Sequence, residues 1–191
     1  PVLLIAMKDP SPLVRGAAAG ALQHVPTREA VRALVGATGD AYRLVRVRAA
    51  ASLAAYSNLP LAEADRKNVE AANKEYLDSL TARPDQWSSH YNLGNYYLNR
   101  NDLKQAISSY DISLRLEPRA VPAMVNQSIA YARLGDRKKA GESLRKALHL
   151  NPDSAAANFN MGLLRAEQNN PKGAERYLEK ALKADPQMAQ A

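Results

Sequence analysis

Residues 87–120 read WSSHYNLGNYYLNRNDLKQAISSYDISLRLEPRA, residues 121–154 read VPAMVNQSIAYARLGDRKKAGESLRKALHLNPDS, and residues 155–188 read AAANFNMGLLRAEQNNPKGAERYLEKALKADPQM. The three segments overlay, each starting 34 residues after the one before. A unit this short cannot bury a core alone. A fixed period therefore implies stacked units that share one continuous core.

Each recurring residue has a structural reason. Gly94, Gly162, Ala106, Ala140 and Ala174 are small where two helices must approach closely. Tyr97, Tyr110, Tyr131 and Tyr177 are placed to fill gaps between neighbouring helices. Pro118, Pro152 and Pro186 stand just past the second helix of each pair, where proline stops it. Asn101-Asp102, Gly135-Asp136 and Asn169-Asn170-Pro171 supply turn and N-cap chemistry inside the pairs. This Leu-Gly-x-x-Tyr…Ala-x-x-x-Phe/Tyr…Pro pattern resembles the tetratricopeptide repeat. The first unit matches it best. The second departs at Gln127-Ser128 and at Leu144, and the third at Met161 and Arg165. The resemblance implies an all-α superhelix (solenoid) of helical hairpins, with three repeats at 87–120, 121–154 and 155–188.

A weaker repeat occupies residues 1–57. DPSPLVRGAAAGAL from Asp9 aligns with DAYRLVRVRAAASL from Asp40, an offset of 31 residues. Leu-Val-Arg opens both copies, and an alanine-rich run follows. This resembles the HEAT-like repeat, another helical hairpin. Helices are expected at 1–8, 12–24, 27–37 and 41–57. Arg15 and Arg46 are expected to pair with Asp9 or Asp40 along the stack rather than to bind an anion.

Residues 58–86 begin with Asn58-Leu59-Pro60 and continue as one long helix over about 61–82. The segment has helical periodicity and no Gly or Ser run, so it does not read as a flexible linker. Aligning Pro84 with Pro118 places Ala72 and Tyr76 at the repeat's Ala and aromatic positions. The segment therefore reads as a degenerate half repeat that joins the two solenoids in one rigid, curved superhelix and caps the first full repeat.

Composition narrows the function. The chain has 191 residues, of which 46% are hydrophobic, and a net charge of +7. No run approaches the length of a membrane-spanning helix. There is no cysteine, which excludes a disulfide framework, Cys-ligated metal and covalent c-type haem attachment in these residues. His24, His90 and His149 lack metal-ligand spacing. His90 takes the place of the repeat's usual tryptophan and reads as a core residue. No phosphate-binding glycine loop and no nucleophile–base–acid arrangement is present. No enzyme activity, metal or cofactor is expected.

Basic residues outnumber acidic ones by seven to three in residues 1–60 and by six to three in the second repeat. They are scattered among helices, and no aromatics interleave with them. Nucleic-acid backbone binding is therefore disfavoured. The chain opens at Pro1 in mid-pattern and stops within a repeat. It reads as a piece of a longer protein, with an uncovered apolar face on its last helix (Leu178, Ala181, Leu182) and end-to-end self-association as the expected consequence.

In the tetratricopeptide family the first helix of each pair lines a concave groove that takes a protein or an extended peptide. Carried over position by position, the groove residues are Tyr91, Asn92, Asn95 and Asn99, then Val125, Asn126, Ile129 and Arg133, then Phe159, Asn160, Leu163 and Glu167. Asn92, Asn126 and Asn160 recur at one repeat position and form a ladder. An amide both donates and accepts, so such a ladder suits a peptide backbone or simply solvates the groove. At about 1 kcal/mol net per hydrogen bond, three amides do not bind tightly alone. Tyr91, Phe159, Val125, Ile129 and Leu163 are expected to supply pockets, and Arg133 to meet a partner carboxylate.

The whole layout is HEAT-like hairpins, a linking helix with Glu75-Tyr76 and Arg83-Pro84, then Asn92-Leu93-Gly94 and three repeats. It resembles the C-terminal part of bacterial multihaem c-type cytochromes that carry such modules. That resemblance implies a periplasmic docking arm without haem of its own.

Overall fold

The computed structural model describes residues 2–25, 27–54, 56 and 60–190. Among them are eleven α-helices, two short 3₁₀ segments and no strand. In chain order the helices are α1 (Val2–Ala6), α2 (Pro12–Ala21), α3 (Arg28–Ala37), α4 (Arg43–Leu53), α5 (Glu63–Thr81), α6 (Trp87–Asn99), α7 (Leu103–Leu116), α8 (Val121–Arg133), α9 (Arg137–Leu150), α10 (Ala155–Glu167) and α11 (Pro171–Ala184). The 3₁₀ segments are Leu22–His24 and Pro186–Gln190. The expected helix ends at Pro1 and Ser57, and the linker residues Asn58 and Leu59, lie outside the described residues. The chain divides into two compact units, residues 1–84 and 85–191.

Unit 85–191 consists of the three helical pairs α6/α7, α8/α9 and α10/α11. One turn, repeated three times, sets each pair. Asn101, Gly135 and Asn169 occupy the left-handed region, at φ 59°, 87° and 54°. Glycine adopts this conformation without penalty, and asparagine is the next residue to tolerate it. The amide of the following residue reaches back to the carbonyl of Tyr97, Tyr131 or Arg165 at 2.9–3.0 Å. This Schellman geometry satisfies carbonyls that a helix end would otherwise leave bare. That same residue caps the next helix: Asp102, Asp136 and Asn170 accept from the amides of Gln105, Lys139 and Gly173. Two residues thus end one helix and start the next.

Between the pairs, small residues let backbones approach. Ala106, Ala123, Ala140, Ala147 and Ala157 are almost fully buried. The aromatic positions are less uniform. A Cβ on Gly94 would clash with the ring of Tyr110. In the third pair the side chain over Gly162 is Leu178, not Tyr177. Tyr177 fills the gap beside it, against the cluster of Met124, Leu144 and Met161. The shift is one residue along α11, and helical geometry turns each successive side chain by about 100°. The departure at Gln127-Ser128 also has a reason. Gln127 Nε2 donates to Asp111 Oδ1 at 2.7 Å, and its Oε1 accepts from Ser143 Oγ at 3.0 Å. Ser128 Oγ donates to the carbonyl of Val125.

Unit 1–84 stacks α2 on α4, with α3 and α5 beside them around Ala19, Leu22, Leu34, Ala49 and Leu53. Leu61 and Val69 pack onto this core, so α5 contributes to it. The arginines form a stacking ladder. Arg15 Nε and Nη2 donate to the two carboxylate oxygens of Asp40 at 2.8 and 3.0 Å, and Nη1 donates to the carbonyl of Asp9. Arg46 repeats the pattern one unit on, but its carboxylate is that of Glu75 on α5, at 3.0 and 2.7 Å. From Asp40 it takes only the backbone carbonyl. The Asp9 carboxylate, an expected partner, accepts instead from the amide of Ser11. The reason is geometric: a guanidinium at the start of one hairpin reaches the next, while it meets its own hairpin through carbonyls. The hydrogen bond from Arg15, opposed by partial burial, holds the Asp40 carboxyl below its ordinary range.

Candidate peptide-binding groove

The expected binding residues all lie on α6, α8 and α10, the first helices of the three pairs, which stand side by side. The structure sorts them into two environments.

Around α6 and α8 the side chains are tied to one another. Tyr110 OH donates to Asn95 Oδ1 at 2.8 Å, and Asn126 Nδ2 donates to the same oxygen at 2.8 Å and to Tyr91 OH at 3.3 Å. Tyr91 lies between Trp87 and Tyr110, with ring centroids 6.1 and 6.3 Å away. Burial is the main cause that pushes the Tyr110 phenol above its ordinary value, which keeps it a donor to Asn95. Asn99 is exposed at the end of α6, and Asn92 is half-buried with no side-chain hydrogen bond among the described residues.

Around α8 and α10 the surface is apolar and open. Ile129, Leu163 and Leu164 surround a pocket of about 250 Å³, floored by Ala140 and Leu144 of α9. Leu163 is 44% exposed and Phe159, one turn before it, 38%. Ser128, Ala132, Arg133, Asn160 and Glu167 complete the lining. Five of the twelve expected residues thus meet at one pocket: Ile129, Arg133, Asn160, Leu163 and Glu167. Val125 is not among them, because it is 4% exposed and lies in the core with Met124 and Leu144.

The three asparagines share a repeat position but not an environment. Asn126 is held by Asn95 and Tyr91. Asn160 Nδ2 donates to the carbonyl of Ala156 in its own helix at 2.8 Å. Sequence reasoning about the groove-lining helices passes over Leu144, which lies on α9 at the back of the pocket. The available signal is its identity: it replaces the tyrosine that the first repeat carries at position 110.

Elsewhere the charged groups engage one another. Arg137, at the start of α9, pairs with Glu167 at 3.2 Å across an exposed surface. Among the described residues no group of three or more His, Cys, Asp or Glu could hold a metal ion, and no helix is long and apolar enough to cross a membrane.

A tetratricopeptide-repeat model matches residues 61–123 and 125–189, and a HEAT-repeat model matches residues 1–75. Both include the first part of α5. No curated protein sequence matches the chain significantly. Among solved structures, TTC0263, a thermophilic tetratricopeptide-repeat protein of Thermus thermophilus, superposes with a TM-score of 0.64 at 23% identity. The match covers 94% of this chain and 92% of that one. A crystal structure of MamA gives 0.58 at 16% identity, covering 95% and 98%, and a MamA RS-1 double mutant gives 0.57 at 19%, covering 97% and 100%. At these identities the likeness is one of fold.

Proposed function

The chain belongs to the tetratricopeptide repeat family, and from that premise we propose that it is a non-enzymatic scaffold whose α6, α8 and α10 face binds a protein or an extended peptide. The observation that carries this reading is the open apolar pocket between α8 and α10. Leu163 stands partly in water there, beside polar groups that can orient a ligand, and Phe159 is exposed one turn earlier on α10. Covering apolar surface favours binding by about 25 cal/mol per Å². The asparagine ladder contributes through Asn160 and Asn92, while Asn126 holds the wall.

The test is capture of partners from lysate of the source organism by the full chain and by Leu163→Glu. Leu163 is exposed, so the variant should melt like wild type and lose the captured partner. Equal capture by both proteins would remove the groove as the site.

A second reading makes the chain a structural or docking arm of a larger protein, with a multihaem cytochrome as the host that the layout suggests. Support comes from the two repeat-to-repeat arginine pairs, in which basic residues of the N-terminal unit serve its own stacking. The same pairing weighs against phosphate-backbone binding. Of the face expected to lie uncovered, Ala181 is buried and Leu178 half-buried, which leaves Leu182, 42% exposed on α11, as the support for end-to-end self-association. Light scattering that shows a monomer at high concentration would dismiss it.

A further inference from the structure

The charge of unit 85–191 is divided unevenly between its two sets of helices. The second helices of the pairs, α7, α9 and α11, carry eleven basic residues and four acidic ones, while the first helices carry two and one. Of the eleven, Arg137 and Lys139 are in ion pairs with Glu167 and Asp136. The other nine are exposed, and none makes an ion pair among the described residues. The four acids, Asp111, Glu142, Glu175 and Glu179, lower the charge of these helices without cancelling it.

The repeat sets where these cations point. Lys104, Lys138 and Lys172 share one repeat position, in the first turns of α7, α9 and α11. Two residues on, Ala106, Ala140 and Ala174 are buried. Two residues turn a helix by about 200°, so the lysines project from the opposite side, away from the pocket that Ala140 floors. Arg115, His149 and Lys183 come back to that side in the last turns. The cations thus extend both along the helices and across the repeats, and cover a face. The last-turn residues have a local reason, because a helix C-terminus favours a cation. The first-turn lysines have none: they oppose the helix dipole in all three repeats. A partner of opposite charge accounts for a local rule broken three times over.

We propose that this outer face lies on an anionic lipid surface. Acidic headgroups present negative charge across a plane, and cations spread over three helices meet such a plane at many points. The contact needs neither a deep pocket nor an apolar wedge. Nucleic acid fits the face less well. Proteins that take single strands hold them in a groove and stack the bases on aromatic rings. The aromatics of these helices, Tyr110 and Tyr177, pack inward. The candidate groove lies on the first helices, so a chain held by its outer face would keep that groove open.

Vesicle co-sedimentation of the full chain tests this, with phosphatidylcholine alone and with an equal mixture of phosphatidylcholine and phosphatidylserine. The chain should sediment with the mixed vesicles only, and added salt should release it. Each lysine removed should weaken binding about fivefold, so Lys138→Gln/Lys172→Gln should weaken it about 25-fold. Arg28→Gln/Arg32→Gln removes the same charge from exposed positions on α3 and should bind close to wild type. Thermal melts confirm that both variants fold. No binding to the mixed vesicles, equal binding to both kinds, insensitivity to salt, or equal losses in the two variants would overturn the proposal. Duplex DNA that strips the chain from the vesicles at equal phosphate concentration would assign the face to nucleic acid and overturn it as well.

Discussion

The junction between the first and second repeats and the junction between the second and third are built on the same positions, and they end as opposites. At the first, Tyr110 lies over Gly94, and its hydroxyl joins Asn95 and Asn126. At the second, the corresponding residues are Leu144, Ser128, Ile129 and Asn160. The leucine is shorter and has no hydroxyl to donate, Ile129 offers no acceptor, and a pocket remains. The residue whose exchange opens the space lies on α9, behind the helices that line the groove. In a repeat protein a site can arise where one unit departs from its own pattern, and the departure need not face the ligand.

The largest expected effect lies at the filled junction. Tyr110→Ala should cost about 3–5 kcal/mol in urea unfolding, because Tyr110 is fully buried and its neighbours cannot all collapse onto the gap. A loss well below that range would mean that the two junctions are less different than their packing implies. Next comes an exchange of one junction's residues for the other's. Leu144→Tyr alone should destabilise by about 1–3 kcal/mol through overpacking, since Ser128 carries a Cβ where Gly94 has none. Adding Ser128→Gly should recover most of that stability and close the pocket to partners. Failure of the second change to rescue the first would break the proposed equivalence of the junctions. Asn95→Ala should cost about 1–2 kcal/mol, as it removes the acceptor shared by Tyr110 and Asn126.

The smallest effect contrasts this neutral network with the ionic one in unit 1–84. The Asp40 carboxyl is held below its ordinary value, chiefly by the hydrogen bond from Arg15. Its folded pKa lies below its unfolded one, so the pair's stabilisation is fully present above about pH 4 and is lost as pH falls further. Asp40→Asn should lower stability by about 1 kcal/mol at neutral pH and reduce the loss seen on acidification. The Tyr110–Asn95–Asn126 network, with its phenol shifted upward, should add nothing to that acid slope. An Asp40→Asn protein that retains the full acid slope would assign it to other carboxylates.

Much of the molecule was legible residue by residue. The turns at 101–102, 135–136 and 169–170 could be read because glycine, asparagine and aspartate carry their conformational preferences with them. The helical pairs followed from the period of 34. The paired state of Arg15 was also readable, from its repeat with Arg46. The partner of Arg46 was not, because Glu75 belongs to α5, which does not continue the repeat of 31 and shares no register with Asp40.

The candidate face divides in the same way. That α6, α8 and α10 carry the candidate residues, and that Ile129, Arg133, Asn160, Leu163 and Glu167 are among them, is what the resemblance to the tetratricopeptide repeat implies, carried over by position. Which of them remain free for a ligand depended on contacts between distant residues. Asn126 is held by Asn95 across 31 positions, and Val125 is drawn into the core. Local pattern and chain stiffness determine helices, turns and their order, and those are written in the sequence. Whether a side chain fills a gap or leaves a pocket depends on the volume and hydrogen-bonding capacity of neighbours that only folding brings together.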